Sequence, residues 1–368
     1  MDTHFTSTFF RSFPMFVISH VVGRQIMGLP RSRYVQEGQE GFFHCFTRCV
    51  RRAFLYGYDA ATNHDYSHRK AWIVDRMKFL ASIFAIDVCA FAVLANHYHT
   101  ILRTRPDLVA SWSDREVALR WLQLCPRKPR SKNKPAPSLE DQINALLSSP
   151  HRIIQLRSRL CSISWFMGRL NEFIARAANA EDQVKGRFWE SRFKCQALLD
   201  HVSLIACMVY VDLNPIRAGL AATPEESDYT SIQERIRNWQ EYNKTSIAAP
   251  ASPIAQSSSN SPIDSWLSPI SSNPQQPGIL NIAEAQYFDL VDRSGRLLRL
   301  GKRGSITPDL APILSRIGAK PEAWIDTISH FGSKFRLAAG NRYNLRSFAN
   351  KIGVHWLFGA SAANASFL

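Results

Sequence analysis

The stretch Leu94–Thr104 reads Leu-Ala-Asn-His-Tyr-His-Thr-Ile-Leu-Arg-Thr, two histidines flanking one aromatic inside an apolar, β-branched run. As a strand, the run places successive side chains on opposite faces, so His97 and His99 project from one side, roughly 6–7 Å apart along the backbone. Tyr98 then points the other way, into packing. Two imidazoles on one rigid face can converge on a divalent metal, and a metal there could polarise a phosphate or carbonyl oxygen. Asn96 and the apolar Phe91–Leu94 before the pair read as a buried strand leading out to an edge. The alternative is a pair of ordinary hydrogen-bonded strand histidines.

At 368 residues the chain is long enough for two domains, or for one with sizeable appendages. A formal charge of +15 and a pI near 9.7 fit polyanion binding, and are more than an enzyme of small neutral metabolites needs. Seven cysteines form no Cys-x-x-Cys pair and sit mostly among apolar neighbours, the pattern of free thiols in a reducing cytoplasm. No apolar run reaches the length of a membrane span, and Phe13–Val22 lacks the flanks of a signal peptide.

Residues 1–26 read as a disordered N-terminal extension. From there, Phe42–Val50 alternates as a first strand and His68–Ile86 has helical periodicity. Asp87–Leu94 and Tyr98–Thr104 follow as two strands in quick succession. Trp112–Leu124, Leu139–Leu147 and Ile153–Ala178 read as helices around a basic, proline-broken loop at Pro126–Pro137. Arg192–Leu198 reads as a last strand, and Asp200–Leu213 as an almost wholly apolar helix with Asp200 as N-cap. The pattern predicts an α+β fold: an antiparallel sheet with helices packed on one face. Residues 244–278, rich in Ser, Pro, Gln and Asn, read as a flexible linker, and residues 279–368 as a small accessory domain.

A second feature bears on the histidines. Met208-Val-Tyr-Val-Asp-Leu-Asn-Pro-Ile-Arg-Ala-Gly-Leu220 sets one tyrosine on that apolar helix, with Tyr210 and Asn214 four residues apart on a shared face. A phenol is a poor nucleophile at its ordinary pKa near ~10, but a nearby metal and cations favour the phenolate. An Asn214 amide oxygen could complete a three-ligand site with His97 and His99. The alternative is a core tyrosine and a helix-ending Asn-Pro.

His97-Tyr98-His99 resembles the HUH signature, and Tyr210 with Leu213–Leu220 resembles the tyrosine helix of the single-tyrosine HUH transposases. Gly28-Leu29-Pro30-Arg31 and Gly186–Phe193 are similar to the REP-associated branch, relatives of the transposases of the smallest bacterial insertion sequences. The resemblance runs from about Met27 to Ile236, within a catalytic domain placed at 27–243. It implies a ferredoxin- or RRM-like core and a bacterial, metal-dependent strand transferase acting on single-stranded or hairpin-bearing DNA. It further implies a 5′-phosphotyrosine intermediate, with Tyr210 as nucleophile, His97, His99 and Asn214 as metal ligands, and Mg²⁺ or Mn²⁺ as the metal. Monomers and homodimers both occur in such a family. The chain departs from the pattern at Ala95, where a proline is usual, and in a long helical insertion at about 107–179.

Charge interleaved with aromatic rings marks the expected DNA contacts: Arg187, Phe188, Trp189, Arg192, Phe193 and Lys194. Trp189 reads equally well as a core anchor. Arg31, Arg33, Arg48, Arg51 and Arg52 form a second candidate patch, Arg217 a further contact, and the Arg127–Lys134 run a phosphate-contacting loop. His44, His64, His68 and His201 read as structural or surface residues. Two other functions compete: a binding protein of the same fold without cleavage, and a barrel hydrolase using His-x-His, whose repeating strand–helix pattern is missing here.

Overall fold

The computed structural model describes residues 29–50, 53, 55–59, 63–126, 137–248, 266–271, 278–299, 314 and 319–368. The expected N-terminal extension at 1–26, Arg51, Arg52 and the Arg127–Lys134 run lie outside them. In chain order the strands are β1 (Gly41–Arg48), β2 (Tyr58–Asp59), β3 (His64–Asp65), β4 (Ile86–Val93), β5 (His97–Thr104), β6 (Lys194–Leu198) and β7 (Ala338–Ala339). The helices begin with α1 (Arg69–Ile83), α2 (Pro106–Ser111), α3 (Asp114–Leu124), α4 (Leu139–Leu147), α5 (Pro150–Leu160) and α6 (Ile163–Glu181). They continue with α7 (His201–Asp212), α8 (Asn214–Arg217), α9 (Ser231–Ala248), α10 (Glu284–Arg299), α11 (Trp324–Ser329), α12 (Phe331–Lys334), α13 (Arg342–Lys351) and α14 (Ala360–Ser366).

β2 and β3 pair only with each other, and the other strands form one sheet in the order β4-β5-β1-β6-β7. All neighbours are antiparallel except β6 and β7. β1 and β4 therefore run parallel with β5 between them, and β5 and β6 run parallel with β1 between them. This is the split βαβ arrangement of a ferredoxin-like core, in agreement with the α+β expectation.

Register decides what shares a face. Phe46 lies opposite His99, Arg48 opposite His97, Lys194 opposite Phe46 and Gln196 opposite His44. His97, His99, Arg48, Phe46, His44, Lys194 and Gln196 thus line one side of the sheet. Tyr98, on the other side, is fully buried and donates its hydroxyl to Asn171 Oδ1 of α6 at 2.7 Å.

Helices cover both faces, which corrects the one-face expectation. α1 and α6 pack beneath Tyr98, while α7 lies across the histidine face against β4, β5 and β6. The cause is composition: ten of the twelve α7 residues are buried. A helix apolar all round must be covered on both sides.

The second cover comes from residues 279–368. They do not stand apart as an accessory domain: α10, α11 and α12 pack on α7, and β7 pairs with β6 as the outermost strand. Their buried apolar residues pack on one another, as Phe335 does on Phe367, and join the same core cluster as the sheet and α7. Of the expected linker, residues 244–248 continue α9, and Trp266–Ser271 lies along β4, where Ser268 N–H donates to the Val88 carbonyl at 2.9 Å. The rest of that stretch is outside the described residues.

Candidate active site

Three elements bring the chemistry-bearing side chains together. β5 supplies His97 and His99, β1 supplies His44, Phe46 and Arg48, and α7 reaches over them with Tyr210. The Tyr210 and His99 rings are 5.7 Å apart, nearly perpendicular, and Tyr210 and His44 are 6.0 Å apart. α7 is set in place by its start, where Asp200 accepts from Ser203 N–H at 2.9 Å and Ser203 returns the bond in a capping box.

The hydrogen bonds of the imidazoles dictate which nitrogen is free. Gln196 Oε1 can only accept, so His44 Nδ1, 3.3 Å away, carries the proton and His44 Nε2 accepts. His99 Nδ1, 2.9 Å from that atom, must then donate, which leaves the His99 Nε2 lone pair unused. His97 Nδ1 donates to Asn96 Oδ1 at 2.7 Å, with the same result. Both histidines of the pair present a bare Nε2, the arrangement in which an outer partner orients a metal-ligating imidazole.

Protonation does not compete for those lone pairs near neutrality. Burial lowers the His44 and His97 pKa values to about 4, with the Arg48 and Arg217 charges adding to the effect on His97. Burial, reinforced by the neighbouring imidazoles, pushes His99 well below the ordinary histidine range. The donor set fits a divalent cation. Asn214 is buried one turn beyond Tyr210, and its amide nitrogen donates to the Tyr210 carbonyl at 3.4 Å. Among the described residues, no group of three His, Cys, Asp or Glu side chains is arranged to hold a metal. A third ligand must therefore be an amide, water or substrate.

Cations ring this centre. The Arg217 guanidinium lies 4.6 Å from the Tyr210 ring centroid, and Lys194 Nζ is 5.6 Å from the Phe46 ring, which itself stacks on His99. Arg48 stands across from His97. An anion entering here meets fixed positive charge from several sides.

The outer wall was not foreseen. Phe331 of α12 lies 5.8 Å from the Tyr210 ring, and a β-carbon built on Gly332 would stand 3.3 Å from the Tyr210 hydroxyl oxygen. Arg217 Nη2 donates to the Ser329 carbonyl at 2.8 Å. No sequence motif marks this wall; only packing shows it. His44, read as structural, belongs to the centre, and its place two residues before Phe46 was a signal usable only once the register was known.

The other expected contacts separate. Arg187 and Arg192 are exposed. Arg31 stacks on the Phe193 ring at 3.8 Å and donates to its carbonyl at 2.7 Å, and Arg33 lies 3.4 Å from the Ile352 carbonyl. Phe188 is corrected, and Trp189 takes the core-anchor alternative. Phe188 is buried, 4.7 Å from the Trp189 ring, and the Trp189 indole N–H donates to the Asn171 carbonyl at 2.9 Å. Trp189, partly exposed, also packs edgewise on Tyr56 and Tyr98, so both rings serve the core.

No helix among the described residues is long and apolar enough to cross a membrane. No protein-family model and no curated protein matches the chain. Among solved structures it is similar to a REP-associated tyrosine transposase bound to a REP hairpin, at 13% sequence identity and a TM-score of 0.27, over 63% of this chain and 96% of that one.

Proposed function

We propose that the chain is a metal-dependent strand transferase of the HUH tyrosine type, cleaving and rejoining single-stranded, hairpin-bearing DNA. The observation that carries the reading is the meeting of Tyr210 with the paired histidines: a phenol from α7 over two imidazoles from β5, their nearest ring centres 5.7 Å apart. Motifs more than a hundred residues apart in the chain supply this one centre, and they are the same motifs that resemble the transposase family.

In this mechanism the Tyr210 oxygen attacks phosphorus in line. A bond from Tyr210 to phosphorus forms and the bond from phosphorus to the 3′-oxygen breaks. The phenol proton leaves through solvent and the 3′-oxygen gains one, giving a free 3′-hydroxyl and a 5′-phosphotyrosine. The reverse attack by a second 3′-hydroxyl rejoins strands without ATP. Mg²⁺ or Mn²⁺, held by His97 Nε2, His99 Nε2 and Asn214 Oδ1, would polarise the scissile phosphate and take up charge developing on its oxygens. Arg217, Arg48 and Lys194 hold the phosphate in place. His44 and Gln196 hold the His99 ring with its lone pair outward.

The test is covalent capture. Purified chain, Mn²⁺ and a labelled hairpin with single-stranded flanks should yield a protein–DNA adduct that survives denaturant. Tyr210→Phe should lose the adduct and keep binding, and His97→Ala should lose most of the adduct through metal. Undiminished adduct from Tyr210→Phe would overturn the assignment. Binding without adduct from the wild-type chain would leave a nucleic-acid-binding protein of this fold.

A further inference from the structure

We propose that α13 and the loop after it form a second DNA-binding surface, one that stacks and tracks the single-stranded flank of the substrate. The inference takes its substrate class from the function proposed above, but its evidence lies elsewhere in the molecule.

The first observation is charge. From Thr327 to Leu368 the sequence has five cationic side chains, Lys334, Arg336, Arg342, Arg346 and Lys351, and no aspartate or glutamate. Lys334 pairs with Asp326 just outside that stretch. Arg342 and Arg346 are exposed and meet no carboxylate among the described residues. Being four apart on α13, they share a face of the helix, with Tyr343 beside them three residues from Arg346.

The second observation is exposed aromatic surface. Tyr343 is 79% exposed, Trp356 66% and Phe358 43%, in a fold that buries most of its rings. The opposite side of α13 explains why these face outward: Leu345 and Ala349 are buried, so the helix is anchored by its apolar side. Trp356 follows Lys351 by five residues and so stands within about 18 Å of the helix end. Arg336 stacks on Phe358 at 4.3 Å, joining cation to ring. Cations interleaved with free rings are what a single strand needs: phosphates meet the cations, and each base has a face to stack. A duplex hides its base faces, and cations with no carboxylate among them from Thr327 to Leu368 favour a polyanion.

The third observation is placement. The helix start is tied to the start of α7: Asp200 Oδ2 accepts from Asn341 N–H at 2.7 Å and from Asn344 Nδ2 at 3.0 Å. Its far end meets the Arg31–Arg33 turn, where Arg33 approaches the Ile352 carbonyl and Lys351 Nζ lies 3.1 Å from Gln39 Oε1. α13 therefore runs, for about 15 Å, from the base of the tyrosine helix to Arg33, part of the basic patch expected from the sequence to contact DNA. A strand laid along it would continue toward that patch.

The experiment is anisotropy of a labelled oligothymidine of about 16 nucleotides, with the full-length chain in EDTA so that only binding is read. Tyr343→Ala with Trp356→Ala should weaken binding about tenfold per ring lost, and Tyr343→Phe with Trp356→Tyr should restore most of it. Arg342→Ala with Arg346→Ala should reduce the slope of log affinity against log salt by about 1.4. Unchanged affinity and slope, with unchanged melting, would overturn the surface. So would equal loss on a blunt duplex, or oligouridine binding tenfold tighter than oligothymidine. If these losses occur while the wild-type chain forms no adduct, the surface stands and the strand transferase falls. If the adduct forms and the affinities do not move, the surface alone falls.

Discussion

Replacing Gln196 by leucine tests whether hydrogen bonds across three strands prepare His99 for a metal. Gln196 on β6 is 3% exposed and His44 on β1 is 1% exposed, so neither can turn to solvent. Leucine removes the acceptor and leaves the His44 Nδ1–H with nothing to bond. A buried donor left unpaired costs about 1–3 kcal/mol. His44 can avoid that cost by moving its proton to Nε2, which then points at His99 Nδ1, 2.9 Å away. His99 must accept there and carry its own proton on Nε2, the nitrogen meant for the cation. Loss of such an outer partner typically lowers metal affinity 10- to 100-fold, or about 1.4–2.8 kcal/mol. The shift exchanges the first cost for the second, so the metal-free chain should lose little stability while Mn²⁺ binding weakens at least tenfold. Calorimetric Mn²⁺ titration of the full chain reads that affinity. Long-range proton–nitrogen NMR correlations of the metal-free protein read the tautomer of His99 directly. Gln196→Glu keeps an acceptor and should retain the wild-type tautomer. Wild-type Mn²⁺ affinity in Gln196→Leu, with His99 still protonated on Nδ1, would refute the relay.

Gly332→Ala should cut the rate of adduct formation at least tenfold without lowering the melting temperature. The added carbon meets the Tyr210 hydroxyl at 3.3 Å, whereas alanine in a helix is itself favourable by about 0.5–1 kcal/mol. Asp212 is buried, accepts from Ser231, from Ile232 N–H and from Tyr287, and burial raises its pKa from 3.8 to about 6. The folded chain therefore keeps a proton that the unfolded chain releases between about pH 4 and 6, so stability drops as pH rises through that window. Urea unfolding at pH 4 and pH 7 should show Asp212→Asn gaining on wild type by up to about 3 kcal/mol; parallel pH profiles would refute this. Asp200→Ala should cost about 2–4 kcal/mol in urea unfolding, about 1 from the lost cap and the rest from the Asn341 N–H left unpaired. A loss under 1 kcal/mol would mean that residues 341–344 do not hold α7.

The parts of the fold that could be read from sequence are those where local pattern and tertiary need coincide. Period-two alternation located β1, β4, β5 and β6 to within about two residues, and the Asp200 cap located the start of α7. Ile153–Ala178 reads as one helix but divides at Cys161–Ser162, because the Leu160 carbonyl ends its helix by accepting from Ala85 N–H at 2.9 Å. That partner is far away in sequence. β7 escaped for a similar reason: Ala338-Ala339 has no strand propensity and pairs only because β6 offers an edge. In the site, the alternate-residue spacing of His97 and His99 suggested a shared face, and Tyr210 stood out through the motifs that resemble the transposase family's tyrosine helix. His44 and Gln196 were not, since their meaning depends on a cross-strand register that no local pattern encodes. Phe188 reads wrongly as a DNA contact and Trp189 reads two ways, because interleaved rings and cations look alike whether the rings face solvent or the core.

The way α7 is held decides whether one chain supplies both halves of its own site. The helix is tied at its start to Asn341 and Asn344 through Asp200, and past its end to Ser329 through Arg217. In the middle Phe331 and Gly332 close over Tyr210, and ten of its twelve residues are buried between the sheet and that cover. Freeing α7 from a folded chain would break every one of these contacts before a partner could remake them. Each hydrogen bond is worth about 1 kcal/mol and each exposed large apolar side chain about 1.5–3 kcal/mol. A sum of many such losses is comparable to the whole stability of a domain, so exchange is closed to a folded chain. Tyr210 should then serve the His97 and His99 of its own chain. Mixing His97→Ala with Tyr210→Phe protein tests this, because only exchange can assemble an intact centre from the two. Adduct in the mixture near one quarter or more of wild type would show that α7 crosses between chains, and that the contacts holding it here can be made by a partner. Adduct no greater than that of the two variants assayed apart is the expected result.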